Sequence, residues 1–148
     1  MNVLALLQSL HGALAVLAVA ACAHPAWTLR SDRAPSSRVR WSVGLAVGLT
    51  IVSVVLGWWI YPDYRELIKP WLLERHPRLH QLAFELKEAL GFFSLVGAVG
   101  GGGLVAIGSD DELARKAARN AFALATLVGL VSAILGIAVV AYRDFGGA

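Results

Sequence analysis

The chain is poor in charge, cysteine and methionine: 16% of its 148 residues are Asp, Glu, Lys or Arg, and it holds one Cys and one Met. Each scarcity excludes something. Cys22 alone cannot form an intrachain disulfide, which removes disulfide scaffolds and the thiol–disulfide membrane enzymes that work through cysteine pairs. A soluble domain is about 25% charged and about 45–50% apolar. At 57% hydrophobic and a mean hydropathy of +0.65, this chain lies outside that class, and the same figures exclude disorder. The net charge of +3 does not indicate nucleic acid, because the basic residues sit between apolar blocks rather than on one face. No nucleophile elbow, phosphate loop, H-E-x-x-H or C-x-x-C pattern occurs, so hydrolase, kinase and zinc-enzyme chemistries have no support.

What is present is apolar length. A bilayer core of about 30 Å requires roughly 20 apolar residues in a helix. Stretches at about 3–29, 41–62, 82–107 and 117–142 meet that length, and none alternates as a β-barrel strand would. The expected fold is an all-α integral membrane bundle of four transmembrane helices in a single domain. The first block contains Val19-Ala20-Ala21-Cys22, which looks like a lipoprotein cleavage box. It has no Lys or Arg before Arg30 and a long apolar run, so it is expected to stay as a helix.

The connections carry the charge. The first and third hold Arg30, Arg33, Arg38, Arg40, Arg115, Lys116 and Arg119; the opposite side holds Arg65, Lys69, Arg75, Arg78 and Arg143. The positive-inside rule then places the first and third connections in the cytoplasm and both termini on the outer side of a bacterial-type inner membrane. Ser109-Asp110-Asp111-Glu112 is a helix-start pattern, a capping hydroxyl followed by acids. Between the second and third spans, residues 64–80 carry Leu67, Ile68, Trp71 and Leu72 at helical spacing among charges, bounded or bent by Pro70 and Pro77. This predicts an amphipathic interfacial helix, with Trp58, Trp59, Tyr61, Tyr64 and Trp71 as an aromatic belt. Gly44/Gly48, Gly97/Gly101 and Gly129/Gly136 mark faces where helix backbones approach closely or leave room for a flat ligand.

Polar groups in lipid are costly and therefore informative. His11 shares a helix face with Ala15, Ala18 and Cys22, the arrangement in which an imidazole could reach a haem iron above a bed of small residues. The alternative is a histidine hydrogen-bonded to a neighbouring helix. His24 lies about 20 Å further along, on roughly the opposite face, and reads as interfacial. Glu85, Lys87 and Glu88 open the third span at the same end as His11; they either join it or snorkel to headgroups. His76 and His80 have the spacing of a surface metal pair but lack an evident third ligand.

The run Leu7-Gln8-Ser9-Leu10-His11-Gly12-Ala13-Leu14-Ala15 resembles the first helix of small four-helix membrane haem-b proteins, which include the HemJ-type protoporphyrinogen oxidases and the CopD-like proteins. Size and span layout match across the whole chain, but only two polar positions correspond. The resemblance implies a haem-binding histidine early in the first helix and a lysine early in the third, where His11 and Lys87 stand. The chain departs from the oxidases at Cys22-Ala23-His24-Pro25, in the Glu85-Leu86-Lys87-Glu88 run and in the amphipathic connection. The expected site is therefore haem b on His11, with Glu85, Lys87 and Glu88 around it. The expected role is membrane electron transfer or oxidation of a lipophilic substrate. The other reading is a non-catalytic accessory or assembly subunit, with the bilayer and a homo-oligomer or larger complex as partners. A transporter is a third, though no inverted repeat is visible.

Overall fold

The computed structural model describes residues 3–31, 34–67, 69–75, 77–79, 84–108 and 110–145, the side chains from 140 onward excepted. Helices account for nearly all of them: α1 (Val3–Thr28), α2 (Ser37–Leu67), α3 (Lys69–Arg75), α4 (Pro77–Leu79), α5 (Leu86–Gly108) and α6 (Glu112–Phe145). Four of these, α1, α2, α5 and α6, are long and apolar enough to cross a membrane, the layout of a multi-pass membrane protein.

The boundaries follow from local chemistry. Helix α2 starts earlier than its apolar run because Ser36 Oγ accepts from the Val39 amide at 3.4 Å and the Ser36 carbonyl accepts from the Arg40 amide at 3.0 Å. It continues beyond Tyr61 because Pro62, lacking an N–H, removes one backbone bond without ending the helix. Helix α6 starts at Glu112, before the apolar stretch, because Asp111 Oδ1 caps the Leu113 amide at 2.9 Å and Glu112 pairs with Lys116 one turn on. The cap is therefore Asp111; Ser109, the hydroxyl expected there, lies outside the described residues.

The interfacial segment differs from expectation. Residues 64–67 complete α2, and α3 and α4 are two short pieces. Leu72 is buried, Trp71 is half-buried and Leu67 is exposed, while Ile68, His76 and His80 lie outside the described residues. Tyr64, placed in the aromatic belt by its sequence, is buried. Because α2 runs on past Pro62, Tyr61 and Tyr64 share a face, and Tyr64 stacks flat on Phe84 with ring centroids 3.7 Å apart.

The contacts fix the topology. His24 pairs with Ser42, Cys22 with Thr50 and His11 with Ser53, so α1 and α2 are antiparallel. Gly101 lies against Phe122, Gly97 against Ala125 and Gly91 against Ser132, so α5 and α6 are antiparallel too. Gly102 meets Val47, and Gly129 meets Val19, which closes the ring α1–α2–α5–α6. The result is an up-and-down four-helix bundle. Its tightest core joins Cys22, Val43, Ala46, Ala98, Val105, Ala118, Phe122 and Ala125, toward the end holding the first and third connections. Large side chains such as Leu17, Val52, Leu127 and Ile137 face outward. In water such a continuous apolar exterior would aggregate; in lipid it is the solvated surface.

The small residues divide by use. A Cβ on Gly97 would lie 3.0 Å from the Ala121 carbonyl oxygen, and one on Gly101 would lie 2.9 Å from the Phe122 ring. Gly44 and Gly48, in contrast, have nothing within 4 Å of such a Cβ: this pair faces out of the bundle. The Gly100–Gly103 run does not break α5; Gly101 and Gly102 take close contacts, while Gly100 and Gly103 are open.

This contrast is testable by thermal unfolding in detergent. Gly101→Leu is expected to lose about 1–3 kcal/mol through overpacking against Phe122. Gly100→Ala, on an open face, should be neutral or gain up to about 1 kcal/mol from helix propensity.

Candidate functional site

The polar interior lies in the other half of the bundle, and all four long helices build it. From α1, the His11 Nδ1 atom is 3.0 Å from the Ser53 carbonyl oxygen of α2. A carbonyl only accepts, so Nδ1 carries the proton. In the neutral ring, Nε2 is then the atom with the free lone pair. Ligating histidines are commonly held this way, one ring N–H on a carbonyl and the other nitrogen presented to a metal.

Gly57, one turn after Ser53, is what lets the imidazole lie so close. A Cβ there would be 2.9 Å from His11 Cε1 and 3.6 Å from Nε2. Any side chain at this position must displace the ring. Ser53 and Gly57 form a small-x-x-x-small pair that the glycine-only reading of the spans passes over; including serine would have marked it.

Lys87 arrives from α5. It enters the half of the bundle that holds His11, which lies against Gly57 of α2 while Lys87 lies against Gly136 of α6. Its stem lies along α6, where a Cβ on Gly136 would be 3.4 Å from Lys87 Cε. Its carbonyl accepts from Ser132 Oγ at 3.0 Å, and its ammonium sits 5.3 Å from the centre of the Phe84 ring. Gly136 and Ser132 thus give the lysine a channel along α6. Above it, Tyr61, Tyr64 and Phe84 stack as a lid. The Tyr64 hydroxyl is buried and has no hydrogen-bond partner among the described residues.

The acids lie apart from this interior. Glu85 and Glu88 are exposed. The structure therefore places His11 and Lys87 in the same half of the bundle and leaves the two glutamates at the margin. The reason is angular: Lys87 faces α6 and the bundle axis, and its sequence neighbours are rotated away from that face.

The face below His11 is also not free. Ala18 and Cys22 are buried; the Cys22 Sγ and Thr50 Oγ1 atoms are 3.6 Å apart, and Val19 packs where Gly129 opens α6. From Ala18 to Cys22 the small-residue stripe serves helix packing, while Ala15, nearer His11, is half-buried. Space lies instead on the outer side of the α1–α2 seam, in an apolar groove of about 340 Å³ lined by Leu10, Leu14, Val52, Val55, Leu56 and Trp59. His11 and Ser53 are sequence neighbours of its wall.

His24 is remote from this centre. It bonds to α2 as well, its Nδ1 donating at 3.0 Å to Ser42 Oγ, whose own proton goes to the Val39 carbonyl. His11 and His24 thus address the same neighbouring helix, not opposite sides. His76 and His80 lie outside the described residues, and no cluster of three metal-binding side chains occurs among those described. No family model, curated protein or solved structure matches the chain.

The tautomer is directly observable. In ¹⁵N-histidine NMR, His11 is expected to show a protonated Nδ1 and a bare Nε2. Gly57→Ala should displace the ring, lose the Ser53 bond and mix the tautomers, at a cost of about 1 kcal/mol. An unchanged His11 signature in that variant would contradict the packing described.

Proposed function

We propose that the chain is a multi-pass inner-membrane protein that binds b-type haem through His11 Nε2 and acts in membrane electron transfer or the oxidation of a lipophilic substrate. The observation that carries this reading is the His11 geometry: an imidazole inside the bundle whose Nδ1–H is committed to the Ser53 carbonyl, leaving Nε2 as a ligand. The placement of His11 and Lys87 in one half of the bundle adds support, since these are the two positions on which the resemblance to four-helix haem-b proteins rests.

The donor set fits the group. His11 would hold the iron, and Lys87, channelled along Gly136 and Ser132, would supply positive charge for an acidic substituent. The lipid-facing groove at Leu14 and Trp59 gives a lipophilic molecule an approach beside His11. Bound haem would contribute one-electron redox chemistry, tuned by its axial ligand and by nearby charge. The chain's own residues would orient the imidazole and exclude water through the Tyr61–Tyr64–Phe84 stack. In this reading both termini face outward, which places His11 and Lys87 in the outer half of the bilayer.

Expression with supplied haem and purification in mild detergent are expected to give a protein with a Soret band and a reduced-minus-oxidised α band. His11→Ala should abolish both, and His24→Ala should keep them. A colourless wild-type protein would overturn the haem reading. A second reading, an accessory subunit, is favoured by the outward Gly44/Gly48 pair, a close-approach surface unused within the chain. Native mass spectrometry from gently solubilised membranes separates the two: a lone haem-loaded monomer excludes the subunit, and a haem-free heteromeric complex supports it.

A further inference from the structure

At the opposite end of the bundle from His11, the end of α1 with the turn after it and the N-terminal part of α6 border a cleft of about 500 Å³. It is lined by Ala26, Arg30, Arg119, Asn120 and Ala123. The two alanines leave the space, and the two arginines face it from the turn after α1 and from α6. We propose that this cleft binds the phosphate group of an anionic phospholipid.

Both guanidinium groups are braced without being neutralised. Arg30 stacks over the Trp27 ring, its central carbon 4.4 Å from the ring centre. Arg119 directs Nε and Nη2 at Asn120 Oδ1, at 3.2 and 3.1 Å, a contact that steadies the fork and leaves its Nη1 protons free. Among the described residues, neither meets a carboxylate. The neighbouring cations are used differently: Lys116 pairs with Glu112, and buried Arg115 donates to the Asp110 carbonyl at 3.2 Å. Two like charges sharing a hollow repel unless an anion joins them, and a fixed guanidinium fork matches phosphate oxygens two at a time.

The position selects a lipid over a free ion. Trp27 and Trp41 at this end are 67% and 80% exposed, as interfacial anchors are, so the cleft sits at headgroup depth. Basic hollows between spanning helices suit anionic headgroups, and each arginine near the surface is worth about 1 kcal/mol. The assignment rests on the helices spanning a bilayer, but not on haem or on His11.

The test uses the full chain in nanodiscs and detergent, read by native mass spectrometry and by lipid exchange. The probes are phosphatidylglycerol, phosphatidylcholine and inorganic phosphate. Wild type should retain phosphatidylglycerol in preference to phosphatidylcholine. Arg30→Gln and Arg119→Gln should each weaken that preference about fivefold, while Lys116→Gln, which removes the same charge nearby, should not. Equal retention of the two lipids by wild type would overturn the proposal whether or not the variants fold. An equal loss in Lys116→Gln would overturn it by showing bulk surface charge. Displacement by millimolar inorganic phosphate with no lipid preference would overturn it by assigning the cleft to a free anion. A chain that stays in aqueous solution without detergent would defeat the membrane reading itself, a different result from any of these.

Discussion

The approach of α5 to α6 is the contact on which the rest of the bundle depends. Gly97 and Gly101 bring the two backbones within reach of Ala121, Ala125 and the Phe122 ring, leaving no room for a larger residue. In lipid there is no hydrophobic drive to press apolar helices together, so close van der Waals fit and occasional polar bonds must do so. Ser94 adds such a bond at the same seam, donating to the Ala125 carbonyl at 3.0 Å. Once α5 and α6 are in register, Gly136 lies under Lys87 and Ser132 under its carbonyl. The lysine's position is a consequence of helix packing.

The two halves of the bundle then differ in character. The half near the first and third connections is dry and built from small apolar side chains around Phe122. The other half is polar inside, with His11, Lys87 and the buried Tyr64 hydroxyl under an aromatic stack. A charge held between spanning helices has a cost that pairing or function must offset. Lys87 meets it with the Phe84 ring and an aliphatic stem laid against α6. Charge of another kind marks the opposite end, where Arg30 and Arg119 line one cleft.

Much of this was legible in the residues, for reasons that can be named. The four spans could be read because lipid demands long, uninterrupted apolar runs, and few other structures produce them. His11 and Lys87 stood out because polar groups in such runs are rare. The helix starts were less legible: Ser36 and Asp111 act through single capping bonds outside the apolar runs. The start of the 64–80 segment was less legible because its apolar spacing suits a surface helix equally well whether or not α2 has ended. Glu85 and Glu88 resembled Lys87 in sequence position, and only their angle about α5 set them apart.

By itself, the sequence determined the fold class, the number of long apolar helices, their order and the scarcity of interior polar groups. These follow from composition and local periodicity, which act within one helix at a time. The tertiary structure alone decided which glycines pack and which face outward, that Ser53 and Gly57 seat the histidine, and that the stripe from Ala18 to Cys22 is filled by α2 and α6. It also decided that Arg30 and Arg119 face one cleft. Each of these depends on the rotation and register of one helix against another. That is set by steric fit between distant side chains, to which helical periodicity within a single segment is blind.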